Sequence, residues 1–118
     1  MEIDRITIAI TQMEAMVAFY NAVFDAGLRP LEPMNGFQFY GGKLAGIDLL
    51  FCPNEIAGVV AEQNRHQFRF VVDDVDALRL KASQLGGRAL DDIHITATNK
   101  SGSVSDPEGN TIELTQPL

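Results

Sequence analysis

Four polar side chains that could do chemistry lie on predicted strands, each next to an apolar residue in an alternating pattern. They are Arg5, Asp48, Gln67 and Glu113. Successive side chains of a strand point to opposite faces, so the four should share the face turned away from the helices. The apolar residues expected to face the helices are Ile6, Ile47, Phe68 and Ile112. Side chains expected to accompany the four are Thr7, Leu50, Cys52, Arg69, Val71, Thr111 and Thr115.

Arginine at such a face has two uses, and the sequence leaves both open. Arg5 could form a salt bridge with Glu113 or Asp48, so that a charge pair satisfies the carboxylate. Alternatively, Arg5 and Arg69 could bind a carboxylate or phosphate group of a ligand, because a guanidinium matches these anions with two parallel hydrogen bonds.

Three further residues have side chains capable of chemistry, but a structural interpretation is favoured for each. His66 is one residue from Gln67 and should point to the other face of its strand, although a bulge would reverse it. His94 lies in the irregular stretch 91–100 and is expected to be a solvated loop residue, with a lid or general-base role as the alternative. Cys52 is interpreted as a small buried residue rather than a nucleophile.

The elements that must position these residues follow one plan in each half of the chain. An alternating segment (Ile3–Thr11) precedes an apolar helix pattern whose capping box would begin at Thr11, and Gln67–Val72 precedes a helix expected to be capped by Asp73. In the first half, the further expected strands are Leu28–Glu32, Phe37–Tyr40 and Gly46–Cys52, with turns at Asn35-Gly36 and Gly41-Gly42. In the second half they are Arg88–Asp91, Ser101–Ser105 and Asn110–Thr115, with a turn at Asp106–Gly109.

The repeat predicts an α+β fold of two βαβββ modules, with helices on the outer face of curved mixed sheets around a concave cavity. Residues 1–118 would form one domain, with module one at about 1–52, a linker at 53–64 and module two at about 65–118. The halves match at an offset of 62 residues in their first strands and 65 in their last. The pattern carries this match, because few residues are identical.

Composition limits the class of protein more than its function. The chain has 118 residues, a net charge of −7 and one cysteine, which excludes an internal disulfide framework. Neither half is basic, which argues against nucleic acid as partner, and no apolar run is long enough for a membrane helix. With no secretory leader in the sequence, we expect a cytoplasmic protein.

Three segments resemble the vicinal oxygen chelate superfamily, which includes glyoxalase I, extradiol dioxygenases, and fosfomycin- and bleomycin-resistance proteins. They are Phe19-Tyr20 with Phe24, Val71–Val75, and above all Ser105–Leu114. The resemblance covers nearly the whole chain and implies the paired-module fold and a homodimer. It also implies a divalent metal held by first and last strands. Arg5 stands at a position where that pattern has histidine or glutamine, and Gln67 stands at one where it has histidine. Glu113 and Asp48 match the acidic residues of the pattern.

The implied metal site would consist of Asp48, Gln67 and Glu113, an oxygen set that magnesium or manganese tolerates. Arg5 beside it opposes a dication, because each unit-charge pair costs about 4 kcal/mol before screening at ~4 Å and an effective dielectric of ~20. We therefore expect no metal or other cofactor.

The expected function is metal-independent binding of a small molecule in a cup at a dimer interface. Its binding residues would be Arg5, Asp48, Gln67, Arg69 and Glu113. An anionic ligand is one possibility that the arginines suggest. The alternative is a divalent-metal-dependent lyase or isomerase, or a dioxygenase-like enzyme, with Glu113 as the best catalytic candidate. The sequence names no ligand.

Overall fold

The computed structural model describes residues 2–118, which fold as two compact units. The first unit ends at Val60 and the second spans Ala61–Leu118. Each unit is an open, mixed sheet with a long helix packed on one face, so the α+β class and the repeated plan are confirmed. Of the helices in residues 2–118, none has the length and apolar character to cross a membrane.

Unit 1 has the predicted order of strand, helix and three strands. Its elements are β1 (Arg5–Ile10), α1 (Met13–Phe24), β2 (Arg29–Pro30), β3 (Tyr40–Leu44), β4 (Ile47–Pro53) and the short α2 (Asn54–Ala57). The sheet order is β1-β4-β3-β2, with β1 parallel to β4 and the other pairs antiparallel.

Unit 2 repeats this plan with one additional strand. Its elements are β5 (Phe68–Val71), α3 (Val75–Gln84), β6 (Arg88–Ala89), β7 (His94–Ile95), β8 (Asn99–Ser105) and β9 (Thr111–Pro117). The main sheet order is β5-β9-β8-β6, and β7 pairs with the free part of β8. β5 is parallel to β9, as β1 is to β4.

The core of unit 1 is aromatic and lies between α1 and the sheet. Phe19 and Tyr20 on α1 are almost fully buried, and the Tyr20 ring meets Phe51 of β4 edge to face, with centroids 5.3 Å apart. Ile8 and Ile10 of β1 are buried on the same face. The period-two pattern therefore assigned the faces of β1 and β4 correctly, because the apolar side chains meet the helix.

The core of unit 2 is aliphatic. Val75 and Ala82 of α3 and Val104, Ile112 and Leu114 of the sheet have at most 1% of their surface exposed. Ser103, Glu113 and Thr115, which alternate with these on β8 and β9, are only partly buried. This face, turned away from α3 and carrying Arg69, Ser101, Ser103, Glu113 and Thr115, is called the open face of unit 2.

The predicted turn at Asp106–Gly109 is confirmed and is built around a buried carboxylate. Asp106 is 2% exposed. Its Oδ1 accepts hydrogen bonds from the amides of Glu108 (2.9 Å) and Asn110 (3.0 Å), and its Oδ2 accepts from Asn110 Nδ2 at 2.8 Å. Asn110 Oδ1 in turn accepts from the amide of Asn64 at 2.7 Å. The turn thereby joins the β8–β9 hairpin to the chain that enters β5.

The turn predicted at Gly41-Gly42 is wrong, since both glycines lie inside β3. The turn falls instead at Ala45-Gly46, where both residues have positive φ angles of 50° and 83°. Gly42 has a different role. The backbone of the chain after α1 crosses it so closely that any β carbon would clash with the carbonyl oxygen of Ala26 and lie 3.0 Å from the Leu28 nitrogen.

Both helix starts differ from prediction by one residue. The N-cap of α1 is Gln12 rather than Thr11, without a side-chain capping bond. The N-cap of α3 is Asp74 rather than Asp73, and Asp74 Oδ1 accepts from the Ala77 amide at 3.0 Å. Two adjacent aspartates offer the same chemistry, so the sequence pattern did not distinguish them.

Candidate functional site

The open face of unit 2 carries a row of polar side chains across three strands. Arg69 of β5 lies directly opposite Glu113 of β9, and Glu113 lies opposite Ser103 of β8. A second row places Thr115 opposite Ser101. Directly opposite residues share a face of the sheet, so these side chains are brought together by register alone.

A cavity of about 190 Å³ lies over this face. The described residues lining it are Arg69, Asp91, Asn99, Ser101, Gly102, Ser103, Glu113, Leu114 and Thr115. The cavity thus offers one guanidinium, two carboxylates, an amide and three hydroxyl groups. Such a set binds a small polar molecule through many hydrogen bonds, and only Arg69 among the lining residues carries a positive charge.

Asp91 is held at the edge of the cavity by a clamp from the helix. Its Oδ1 accepts from Arg79 Nη1 at 2.9 Å and from the Ser103 amide at 2.8 Å, while Arg79 Nη2 donates to its carbonyl oxygen. The Arg79 side chain is only 13% exposed, and it passes over Gly102 on the α3 side of the sheet. The charge of Asp91 is therefore largely balanced from within, which leaves Glu113 as the carboxylate beside Arg69.

Unit 1 has the corresponding arrangement on β1 and β4. Arg5 lies directly opposite Asp48, but the ion pair of Asp48 is with Lys43, whose Nζ lies 2.8 Å from Asp48 Oδ1. The hydrogen bond and charge of Lys43 lower the pKa of Asp48 below its ordinary value of 3.8, and the charge of Arg5 contributes less in the same direction. The predicted salt bridge between Arg5 and Asp48 is thus replaced by the one with Lys43. Lys43 lies opposite Asp48 on β3, as Arg5 does on β1, and it is Lys43 that forms the ion pair.

Strand register corrects the repeat that the sequence suggested. The last strands match at an offset of 65, as predicted, since Asp48 corresponds to Glu113. The arginines opposite them, Arg5 and Arg69, are 64 residues apart rather than 62. Gln67 precedes β5, is exposed, and is absent from the residues that line the cavity. Arg69 therefore occupies the place next to the second carboxylate.

The side chains of each unit do not fit a divalent metal ion. Each acid that the family resemblance offers as a ligand lies opposite a permanently charged arginine, and Asp48 is bonded to Lys43 as well. A guanidinium group cannot lose its proton, so each arginine would always repel a divalent cation bound at the acid opposite it. Within residues 2–118, no group of three or more His, Cys, Asp or Glu side chains could hold a metal ion.

The described residues that line the cavity include neither histidine nor cysteine. His66 is exposed and precedes β5. His94 lies on β7 opposite Ser101, so the stretch 91–100 contains a strand and the start of β8 where irregular structure was predicted. Cys52 is buried, with its Sγ 3.6 Å from the Pro53 carbonyl oxygen, which agrees with its interpretation as a packing residue.

Sequence reasoning missed Asp91, Asn99, Ser101 and Ser103 as cavity residues. A signal for three of them was present, since the polar residues of β8 alternate with Gly102 and Val104. The strand was predicted to begin at Ser101, two residues too late to include Asn99 in this polar face. Asp91 had no such signal, because the clamp from Arg79 depends on how α3 packs.

The comparisons place the whole chain in a known group of folds. The model of the family described as "Glyoxalase-like domain" matches residues 5–115. No curated protein sequence matches. Among solved structures, a glyoxalase/bleomycin resistance protein/dioxygenase family enzyme from Burkholderia phytofirmans PsJN is 22% identical, covers 100% of both chains, and has a TM-score of 0.77.

Two further structures have similar scores. A glyoxalase-related enzyme from Fulvimarina pelagi is 22% identical over 98% of this chain and 87% of that one, with a TM-score of 0.74. A genomically encoded fosfomycin resistance protein, FosX, from Listeria monocytogenes is 14% identical over 100% and 94%, with a TM-score of 0.75. At these identities the structural neighbours show the fold alone.

Proposed function

The chain belongs to the glyoxalase-like domain family, within the vicinal oxygen chelate superfamily, and on that premise we propose that it binds a small anionic molecule without a metal ion. The binding site is the cavity on the open face of unit 2. One observation carries the proposal: among the described residues that line the cavity, Arg69 is the only cation, and three hydroxyl groups line it as well.

The contacts of Arg69 support this assignment. No ion pair formed by residues 2–118 includes it, although Glu113 is its neighbour in the ladder. Its guanidinium can therefore donate two parallel hydrogen bonds to a carboxylate or phosphate oxygen pair. The hydroxyls of Ser101, Ser103 and Thr115 can donate to the same group or accept from a hydroxyl of the ligand. Glu113 favours a ligand that also carries a hydrogen-bond donor.

The test is a melting scan with small anions and matched variants. Inorganic phosphate, phenylacetate and fosfomycin form a first set, the last because structural neighbours are named as fosfomycin resistance proteins. A ligand at 100 times its dissociation constant should add ~2.7 kcal/mol to the free energy of unfolding. Arg69→Ala should abolish that gain, and Arg65→Ala, an exposed arginine before β5, should keep it.

Elemental analysis separates this proposal from the metal-dependent alternative. Stoichiometric manganese, nickel or zinc in the dialysed protein, with a melting temperature lowered by EDTA, would contradict the proposal. The search would then turn to lyase, isomerase or dioxygenase substrates with Glu113 as ligand or base. Arg69→Ala and Arg65→Ala behaving alike would also contradict it.

We further propose a homodimer, as the superfamily resemblance implies, and a cytoplasmic location. Analytical ultracentrifugation at micromolar concentration tests the first: a monomer across the concentration range contradicts it.

A further inference from the structure

We propose that unit 1 carries a separate binding site for a small organic cation. The site is a cavity of about 380 Å³ at the end of the sheet where β1 and β4 finish, here called the unit 1 cavity. The lining residues that carry the argument are Met13, Glu14, Phe37, Tyr40, Pro53 and Glu55. All of the described residues that line it belong to unit 1, so the inference is independent of the function proposed above.

The 34–37 turn and the first turns of α1 and α2 carry most of these side chains. Phe37 closes a tight turn through paired backbone bonds with Met34 (3.1 and 2.9 Å), and Gln38 next to it donates to the carbonyl oxygens of Leu31 (2.7 Å) and Phe39 (2.8 Å). The turn residues Asn35 and Gly36 have the positive φ angles, 52° and 80°, that a tight hairpin requires. The backbone that carries Phe37 is therefore held in place before any ligand arrives.

The two carboxylates come from helix starts. Glu14 lies in the first turn of α1 and Glu55 in the first turn of α2. The backbone of α2 is anchored because the Asn54 side chain bonds both the amide (2.9 Å) and the carbonyl oxygen (3.0 Å) of Val59. Both glutamates are exposed, so their charges are available at the mouth of the cavity.

The charge of the unit 1 cavity selects a cation. Of the described residues that line it, none is Lys or Arg. The α1 N-terminus adds roughly half a positive charge, so two glutamates leave the cavity at about −1.5. An anion is thus repelled here, in contrast to the Arg69 cavity.

The walls select an organic cation over a metal ion. Phe37 and Tyr40 offer aromatic faces, which attract ammonium groups within about 6 Å, and Met13 offers a polarisable thioether. Pro53 adds further apolar surface. The volume lies in the range of roughly 300–1,000 Å³ that is usual for small-molecule sites. A quaternary ammonium or a protonated amine with one aromatic ring fits this combination of size, charge and surface.

The test follows backbone amide shifts of the ¹⁵N-labelled full chain during titration with benzyltrimethylammonium. Shifts confined to the start of α1, the 34–40 turn and the start of α2 are expected. Benzyl alcohol and phenylacetate, which are neutral and anionic molecules of similar size, should bind to the unit 1 cavity at least tenfold more weakly, as judged by the same amides. Glu14→Gln and Glu55→Gln should each weaken binding of the cation about twofold to fivefold, and added salt should weaken it as well.

Two controls keep the proposal open to contradiction. Glu62→Gln makes the same change at an exposed residue of unit 2 and should leave the affinity unchanged. Phe37→Leu keeps an apolar side chain but removes the ring, and should weaken the cation more than it weakens benzyl alcohol. Equal binding of the three probes to the unit 1 cavity, shifts elsewhere in the chain on addition of benzyltrimethylammonium, or equal effects of Glu55→Gln and Glu62→Gln would each overturn the proposal.

Discussion

Arg69 and Glu113 lie directly opposite each other on the parallel strands β5 and β9, the relation that Arg5 and Asp48 have on β1 and β4. Both units therefore place a permanent cation next to a carboxylate at a position that the superfamily resemblance associates with a metal. The repeated arrangement supports a site that recognises charge on a ligand, because a cation and an anion in fixed register can contact both ends of a polar molecule.

Lys43→Met should raise the pKa of Asp48 towards its ordinary value of 3.8, because the hydrogen bond and charge of Lys43 are the main causes of its lowering. A lowered carboxylate pKa stabilises the folded state above the ordinary value, and this contribution is lost as pH falls through the lowered one. NMR titration of the Asp48 carboxyl carbon measures the change. Lys81→Met, on α3, is the matched control, and an equal shift in both variants contradicts the assignment.

Gly42→Ala should destabilise the protein by about 1–3 kcal/mol, since the new β carbon would meet backbone atoms that cannot move independently. Separation of the two segments would also weaken the 2.8 Å bond from the Lys43 amide to the Ala26 carbonyl oxygen. Gly41→Ala is the control. Its β carbon would lie 3.1 Å from a terminal carbon of Leu31, an exposed side chain that can rotate. Urea unfolding of both variants measures the difference. Similar losses of stability in the two variants would contradict the argument from close backbone approach at Gly42.

Asp106→Ala should cost about 2–4 kcal/mol, because it leaves the amides of Glu108 and Asn110 without their buried acceptor. Asp106→Asn should cost less, since one acceptor oxygen remains while the Asn110 amide group loses its partner. Asp92→Ala removes an exposed aspartate as the control. If thermal unfolding gives all three variants the same stability, the carboxylate is not what holds this turn.

Arg79→Lys should lower the free energy of unfolding by about 1–2 kcal/mol, because lysine cannot donate simultaneously to the Asp91 carboxylate and carbonyl oxygen. The amide shift of Ser103, which is bonded to the same carboxylate, should change as well. Arg65→Lys is the matched control. An unchanged Ser103 amide would show that Asp91 is held without Arg79.

Strand faces were predictable from the sequence, and strand register was not. The alternation around Arg5, Asp48 and Glu113 assigned each to the face opposite the helix, because burial of the neighbouring apolar residues determines the phase. Gln67 was expected to correspond to Arg5, yet Arg69 does, because a shift of two residues preserves the face while changing the neighbour. Periodicity contains no information that separates these registers.

Tertiary packing accounts for most other differences. Gly41-Gly42 has the composition of a turn, but the close backbone after α1 requires Gly42 within a strand. The Asp91 clamp needs Arg79 to extend from α3 over Gly102 to Asp91. By contrast, the Asp106–Gly109 turn was predicted correctly, since its hydrogen bonds are local and depend on residue type at fixed spacing.

The bond from the Asn64 amide to the Asn110 side chain joins residues 46 positions apart, whereas the β8–β9 hairpin that ends beside it is local. Closing the longer loop costs more chain entropy, so we expect the hairpin to belong to the folding nucleus and the Asn64 contact to form after the transition state. Asp106→Asn should therefore slow refolding in stopped-flow experiments. Asn110→Asp keeps the acceptor for the Asn64 amide but places two carboxylates together, so it should slow refolding further. The Asp106–Gly109 turn would then determine the folding rate of unit 2 as well as its stability.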